Sequence, residues 1–197
     1  MMTKIEKIAI IDTGVLRNFY ILNILNRLHL FYHKVLLPMS VEKEFLRAKN
    51  ETESRFEFLV KFFNENSKWF ERCNRYTEEE FQIYLSDLNP KEKKLGMGEA
   101  EVYCQFSHTQ GIAELLIDDF GAYEFGKSLS ASVKRTLFFL AELDLENTLD
   151  YFESCKILKN SGTRISHEVI LKAFYSSHDA RGIPIPRDRI PLWCQSE

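Results

Sequence analysis

Ile8-Ala9-Ile10-Ile11-Asp12-Thr13-Gly14 is the stretch that decides the fold. Four apolar residues run straight into a carboxylate, a hydroxyl and a glycine. A strand buried on both faces reads as such a run, and the residues just past its carboxyl end line the crevice where open α/β sheets bind ligands. Asp12 is thereby placed for chemistry. A second segment, Ala113-Glu114-Leu115-Leu116-Ile117, repeats the arrangement and leads into Asp118-Asp119. Two strand ends that deliver acid to one rim point to a metal site.

Working outward, Val15, Phe19, Leu22, Leu25 and Leu28 recur at helical spacing and predict a helix directly after the first strand. Residues 33–38 read as a second short strand stopped by Pro38, with Ser40 as the N-cap of a helix whose first turn holds or adjoins Glu44. Phe56, Leu59, Val60 and Phe63 predict a further helix, with Trp69-Phe70 as its packed ending. Asn89-Pro90 marks a turn and residues 91–94 a solvated charge run. Gly96-Met97-Gly98 enters a helix on which Ala100, Tyr103, Cys104 and Ser107 share a face, and Gly111 ends it. After the strand at 113–117 come a short helix over 122–129 and a strand over 135–139. From Glu142 the pattern is helical, with Ser166 as a cap, and the proline-bearing stretch 181–197 is expected to be an extended tail laid on the domain or a partner. Strands alternating with helices predict a three-layer α/β/α domain with a mostly parallel central sheet. We assign residues 1–140 to that domain and 141–197 to a helical extension and tail packed on it.

The 197 residues suit one domain with a real core, and 45% hydrophobic residues with 28% charged describe a globular chain. Lys and Arg number 26 against 29 Asp and Glu, so the broad basic footprint of a static nucleic-acid module is lacking. An acidic metal site that turns nucleic acid over is still compatible with that balance. Cys73, Cys104, Cys155 and Cys194 form no zinc-type spacing and read as reduced thiols. Residues 1–7 contain no signal-like apolar stretch and no run approaches about 18 apolar residues, so the expectation is a cytoplasmic protein with no membrane partner.

The motifs resemble those of the PIN domain family, metal-dependent nucleases that include VapC-type toxins of toxin–antitoxin pairs. The matching pieces are Ile11-Asp12-Thr13-Gly14, the segment from Leu37-Pro38 through Val41-Glu42-Lys43-Glu44, Gly98-Glu99-Ala100-Glu101, and Ile117-Asp118-Asp119. They stand in the family's order over about residues 7–140. The resemblance implies a site built from Asp12, Glu44, Glu99 and either Asp118 or Asp119. Asp119 occupies the family's fourth position, although Ile117 stands where a hydroxyl residue is usual. By the same motif matching, Thr13 would orient Asp12 or a bound water, Val-x-x-Glu spacing favours Glu44 over Glu42, and Glu101 would face solvent or stand behind the ligands. Residues 50–90 and the chain beyond 140 depart from the small toxins, so substrate and partner do not carry over from them.

Physical chemistry supports a metal independently. Like charges ~4 Å apart repel by about 4 kcal/mol at an effective dielectric of ~20, so clustered carboxylates need cations or protons. Mg²⁺ or Mn²⁺ suits hard oxygen ligands, and phosphodiester hydrolysis is the reaction such ions support. The expected activity is therefore Mg²⁺- or Mn²⁺-dependent cleavage of RNA, as the toxin of a toxin–antitoxin pair or in another role. The expected partners are RNA, an antitoxin or other protein, and a second copy of the chain. Two alternatives are a non-catalytic PIN-like scaffold and a structure-specific DNA nuclease. Lys43, Arg47, Lys127, Lys134 and Arg135 are candidates for holding phosphates at the rim, and Trp69-Phe70 or Trp193 for a partner surface.

Overall fold

A computed structural model of the 197-residue chain describes residues 7–47, 51–74, 76–86 and 95–195. The turn and charge run expected at 89–94 lie outside them. The chain comprises two compact units, divided between Lys134 and Arg135.

The first unit opens with β1 (Ile8–Ile11), in which Ala9, Ile10 and Ile11 are fully buried, and α1 (Thr13–Ile21) follows at once. The α-helix is shorter than its apolar spacing predicts. It stops at Ile21, Asn23 takes a left-handed φ of 53°, and Leu25–Leu30 continues as a 3-10 helix. Leu25 and Leu28, three residues apart, are both buried, as a three-residue turn requires.

β2 (Lys34–Pro38) leads without a break into α2 (Met39–Leu46), and α3 (Thr52–Asn66) precedes β3 (Phe70–Cys73). The β3 strand is an addition to the sequence reading, which has only a packed helix ending there. Its two middle residues, Glu71 and Arg72, are not buried, so it lacks the apolar run of a central strand. Phe62 meets Phe70 edge-on at 5.0 Å and Trp69 at 5.8 Å, which packs the aromatic insertion within its own unit. The unit then continues through α4 (Glu78–Ser86), α5 (Met97–His108), β4 (Glu114–Leu116), α6 (Phe120–Ser128) and β5 (Ser132–Lys134).

These strands form one all-parallel sheet in the order β3-β2-β1-β4-β5, with Ile10 registered between Leu36 and Leu115. Helices flank the sheet as a three-layer α/β/α arrangement requires. The right-handed rule for parallel strands assigns the connections running β1 to β2 to β3 to one face and those reaching β4 and β5 to the other. The direction of winding reverses between β1 and β4. The carboxyl ends of these neighbours therefore enclose the crevice where doubly wound sheets place ligands.

The second unit contains α7 (Thr136–Leu145), α8 (Tyr151–Asn160), α9 (His167–Ala180) and the short α10 (Leu192–Gln195). The strand expected at 135–139 is helix here, and β5 lies just before it. An apolar run such as Leu137-Phe138-Phe139-Leu140-Ala141 fits a buried strand or a buried helix equally, and burial of α7 on nearly all sides erases the helical period. Ser166 caps α9 through Val169 N–H, as expected. The tail is not simply extended. It forms a 3-10 turn at Arg187–Arg189 and then α10, burying Ile190 and Cys194. Trp193 is half-buried against His167, at 5.8 Å between ring centres. Among the described residues no helix is long and apolar enough to cross a membrane.

Candidate active site

Asp12 ends β1 and caps α1. Its Oδ1 accepts from Val15 N–H at 2.7 Å, and its Oδ2 accepts from Asp118 N–H at 3.0 Å across the switch point. The local sequence supplies the first bond and the sheet register supplies the second, through Asp12 N–H donating to the Leu116 carbonyl at 3.0 Å. With 4% of its surface exposed, Asp12 has its pKa held well above the ordinary aspartate value. Burial is the main cause and the charge of Asp118 the next; the two backbone N–H groups oppose the rise, and Glu99 adds to it.

Glu44 reaches the same place from α2. The helix begins at Met39, with Pro38 rather than Ser40 as its N-cap, so Glu44 stands in the second turn. Thr13 Oγ1 donates to Glu44 Oε2 at 2.6 Å and Gly98 N–H donates to Oε1 at 3.1 Å. Thr13 thus ties the first motif to the second. The alternative Glu42 is held elsewhere: Arg72 grips it with two bonds of 2.7 and 2.8 Å. A Cβ at position 98 would lie 2.7 Å from Glu44 Oε2, so any side chain there would push that carboxylate from its seat.

Glu99, in the first turn of α5, reaches back so that its Oε2 accepts from Gly96 N–H at 2.7 Å. Asp119 caps α6, accepting from Ala122 N–H at 3.0 Å. Asp12, Thr13, Gly14, Glu44, Gly96, Glu99 and Asp119 line one cavity of about 160 Å³. Asp118 is not among its walls; its Oδ2 accepts from Asn18 Nδ2 at 2.8 Å while its backbone N–H holds Asp12. The two halves of the Asp118-Asp119 pair therefore differ: Asp119 faces the cavity and Asp118 braces and electrostatically loads Asp12.

Asn18 joins the expected set, and of the two places expected for Glu101, facing solvent or standing behind the ligands, it does not take the first. Asn18 is the buried amide among Val15, Leu16 and Phe19 on α1, and that one polar position on an apolar face is a signal readable in sequence. Glu101 is not at the surface. It is fully buried and accepts from Met39 N–H at 3.1 Å and Ser40 N–H at 2.5 Å. Nothing in the local pattern announces this, since both donors lie some sixty residues earlier in the chain. Of the basic residues proposed for the rim, Lys134 is paired with Glu114 at 3.4 Å and Lys127 with Glu124 at 3.9 Å, while Lys43 and Arg47 are exposed and Arg135 belongs to the second unit.

The donor set suits a hard divalent cation. It consists of carboxylate oxygens, it walls a cavity with room for several waters at about 10–15 Å³ each, and its mutual repulsion is relieved by positive charge. Among the described residues no three His, Cys, Asp or Glu side chains already form a group that could hold a metal ion. The carboxylates instead each engage a protein donor. A carboxylate oxygen has two lone pairs, so an N–H bond to it leaves capacity for a cation or its waters.

The parallel sheet and its acidic switch point define an α/β/α domain that presents carboxylates to a crevice. The family model for PIN domains matches residues 8–178, and the chain belongs to the PIN domain family, whose fold is in general a nuclease fold. No curated protein matches the chain.

Proposed function

We propose that this protein is a Mg²⁺- or Mn²⁺-dependent ribonuclease that hydrolyses RNA phosphodiester bonds at the cavity around Asp12. The observation that carries this reading is the meeting of Asp12, Glu44, Glu99 and Asp119, from four separate motifs, on one cavity. Asp12, Glu99 and Asp119 would hold the cation, with Asp118 adjoining. A divalent ion bound there supplies a water of lowered pKa and stabilises negative charge on the phosphate. Asp12 is fixed by two backbone N–H groups and presents its remaining lone pairs in a constant direction. Glu44, oriented by Thr13 and Gly98, would accept a hydrogen bond from a cation-bound water, supporting cation binding from behind the ligands, and would take a proton from that water as it attacks. Asn18 and the Asp118 backbone keep the β1 and β4 ends in register during these events.

The test is cleavage of single-stranded and structured RNA with Mg²⁺ or Mn²⁺, beside matched DNA. Asp12→Asn and Asp119→Asn should each reduce cleavage about 100-fold or more while circular dichroism and thermal unfolding report an intact fold. Undiminished cleavage by Asp12→Asn would sink the site assignment, and preference for DNA would redirect the substrate.

A second reading has an observation in its favour. The carboxylates engage protein donors and no ready-made three-ligand group exists among the described residues, as a non-catalytic PIN-like scaffold would have it. Absence of Mn²⁺ binding by calorimetry, together with tight binding of a protein partner, would decide for it. In a toxin–antitoxin setting that partner would be an antitoxin that suppresses cleavage. The free, buried thiols of Cys73, Cys104, Cys155 and Cys194 agree with a reducing, cytoplasmic setting.

A further inference from the structure

The start of α2 lacks a cap of its own. Pro38 occupies the N-cap position and offers no side-chain acceptor, although the first N–H groups of any helix need partners. Glu101, on α5, supplies them from the other helix: its two carboxylate oxygens take Met39 N–H and Ser40 N–H. The reverse also holds. Gly96 at the N-cap of α5 has no side chain, and Glu44 on α2 accepts the Gly98 N–H in α5's first turn. Each helix thus caps the other, and the two pack together. A carboxylate is suited to this task because it accepts twice and its charge is favourable at a helix N-terminus. Burial and the nearby Glu101 carboxylate together hold the Tyr76 hydroxyl above its ordinary pKa.

We propose that Glu101 is a positioning residue of the active site: by gripping the first turn of α2 it sets the register of that helix against α5, and so seats Glu44 between Thr13 and Gly98. The seat has little tolerance. Glu44 lies where a Cβ on Gly98 would be at 2.7 Å, and it holds two donors from two different elements. A slip of α2 by a fraction of a turn breaks both bonds and withdraws Glu44 from the cavity. This inference rests on the metal reading only for its effect on cation binding. The effect on Glu44 itself belongs to the metal-free protein.

Met39→Pro isolates the latch. Met39 is the first residue of α2, where proline is favoured, and the preceding Pro38 already has an extended ψ of 146°. The substitution removes one N–H offered to Glu101 and keeps the helix. Met39→Ala, which shortens the side chain but keeps the N–H, is the reference. In metal-free protein, amide exchange at Gly98 should be about five- to tenfold faster in Met39→Pro than in Met39→Ala, while Ile10 and Leu36 keep their rates. Mn²⁺ affinity by calorimetry should fall about 10- to 100-fold between the same two variants. Glu101→Gln, which keeps the shape but offers one acceptor oxygen to two N–H groups, should reproduce both changes.

Equal Gly98 exchange and equal Mn²⁺ affinity in the two Met39 variants, with only the melting temperature altered, would make Glu101 an ordinary buried cap and overturn the proposal. Faster exchange with unchanged Mn²⁺ affinity would overturn its connection to the site. Failure of the wild-type protein to bind Mn²⁺ removes the metal reading alone. Exchange at Gly98 then judges the latch.

Discussion

Asp12 holds the frame with the same two oxygens that are proposed to meet a cation. As the cap of α1 and the acceptor of Asp118 N–H it must stay at the buried end of β1, and there burial and Asp118 both oppose its charge. A group whose folded pKa is raised contributes stability that is complete below its unfolded value, 3.8 here, and lost as pH rises through the folded value. The metal-free protein should accordingly lose this contribution on the alkaline side, where a cation would restore it. Protons and cations then compete for Asp12. Mn²⁺ affinity should rise with pH through a range above the ordinary aspartate value and level off once Asp12 is ionised, as calorimetry across a pH series would show. Asp118→Asn removes the second cause of the shift, so the rise should move to lower pH whatever happens to the plateau. A rise that stays in place or moves to higher pH would refute the role given to Asp118.

Helices α5 and α6 illustrate how tightly the elements behind the site are fitted. Gly126 in α6 stands where a Cβ would be 2.8 Å from Val133 Cγ2 on β5 and 3.0 Å from Tyr103 Oη on α5. Val133 is short and stiff, and the Tyr103 hydroxyl is already committed to the Ala122 carbonyl. Alanine normally gains about 1 kcal/mol over glycine inside a helix. Overpacking costs about 1–3 kcal/mol, so Gly126→Ala should destabilise on balance, with a lower urea midpoint and an unchanged m-value. A higher midpoint would mean that β5, a short edge strand, yields freely.

The molecule as a whole comprises the sheet unit and the helical unit, and the second has its own polar anchor. Asp144 on α7 is buried, and accepts from Arg189 Nη1 at 2.9 Å, Arg189 Nη2 at 2.6 Å and Tyr151 N–H at 3.1 Å. One carboxylate thereby joins α7, α8 and the tail. Arg189→Ala leaves that carboxylate short of its charged partner and should cost about 1–3 kcal/mol, with faster amide exchange in α7, α8 and α9. Unaltered exchange there would show the tail to be dispensable to its unit. The legible parts of the protein were those with a local cause. The apolar run ending in Asp12 announces a buried parallel strand, and four acidic motifs in family order announce the carboxylates that meet at the candidate site. Ser166 followed by an apolar period announces α9. The parts that stayed hidden were those whose cause lies far along the chain. Strands β3 and β5 are short edge strands that need little apolar surface, so period two is absent from them. The α7 helix is buried on nearly all sides and shows no period of its own. Ser40 has the composition of a cap, yet the bonds at the start of α2 go to Glu101. Asp118 and Asp119 are chemically identical neighbours, separated only by which one the β4 end turns toward the cavity. Composition and spacing record what a residue can do, while donors and neighbours brought from distant segments decide which carboxylate faces the cavity and which holds the frame.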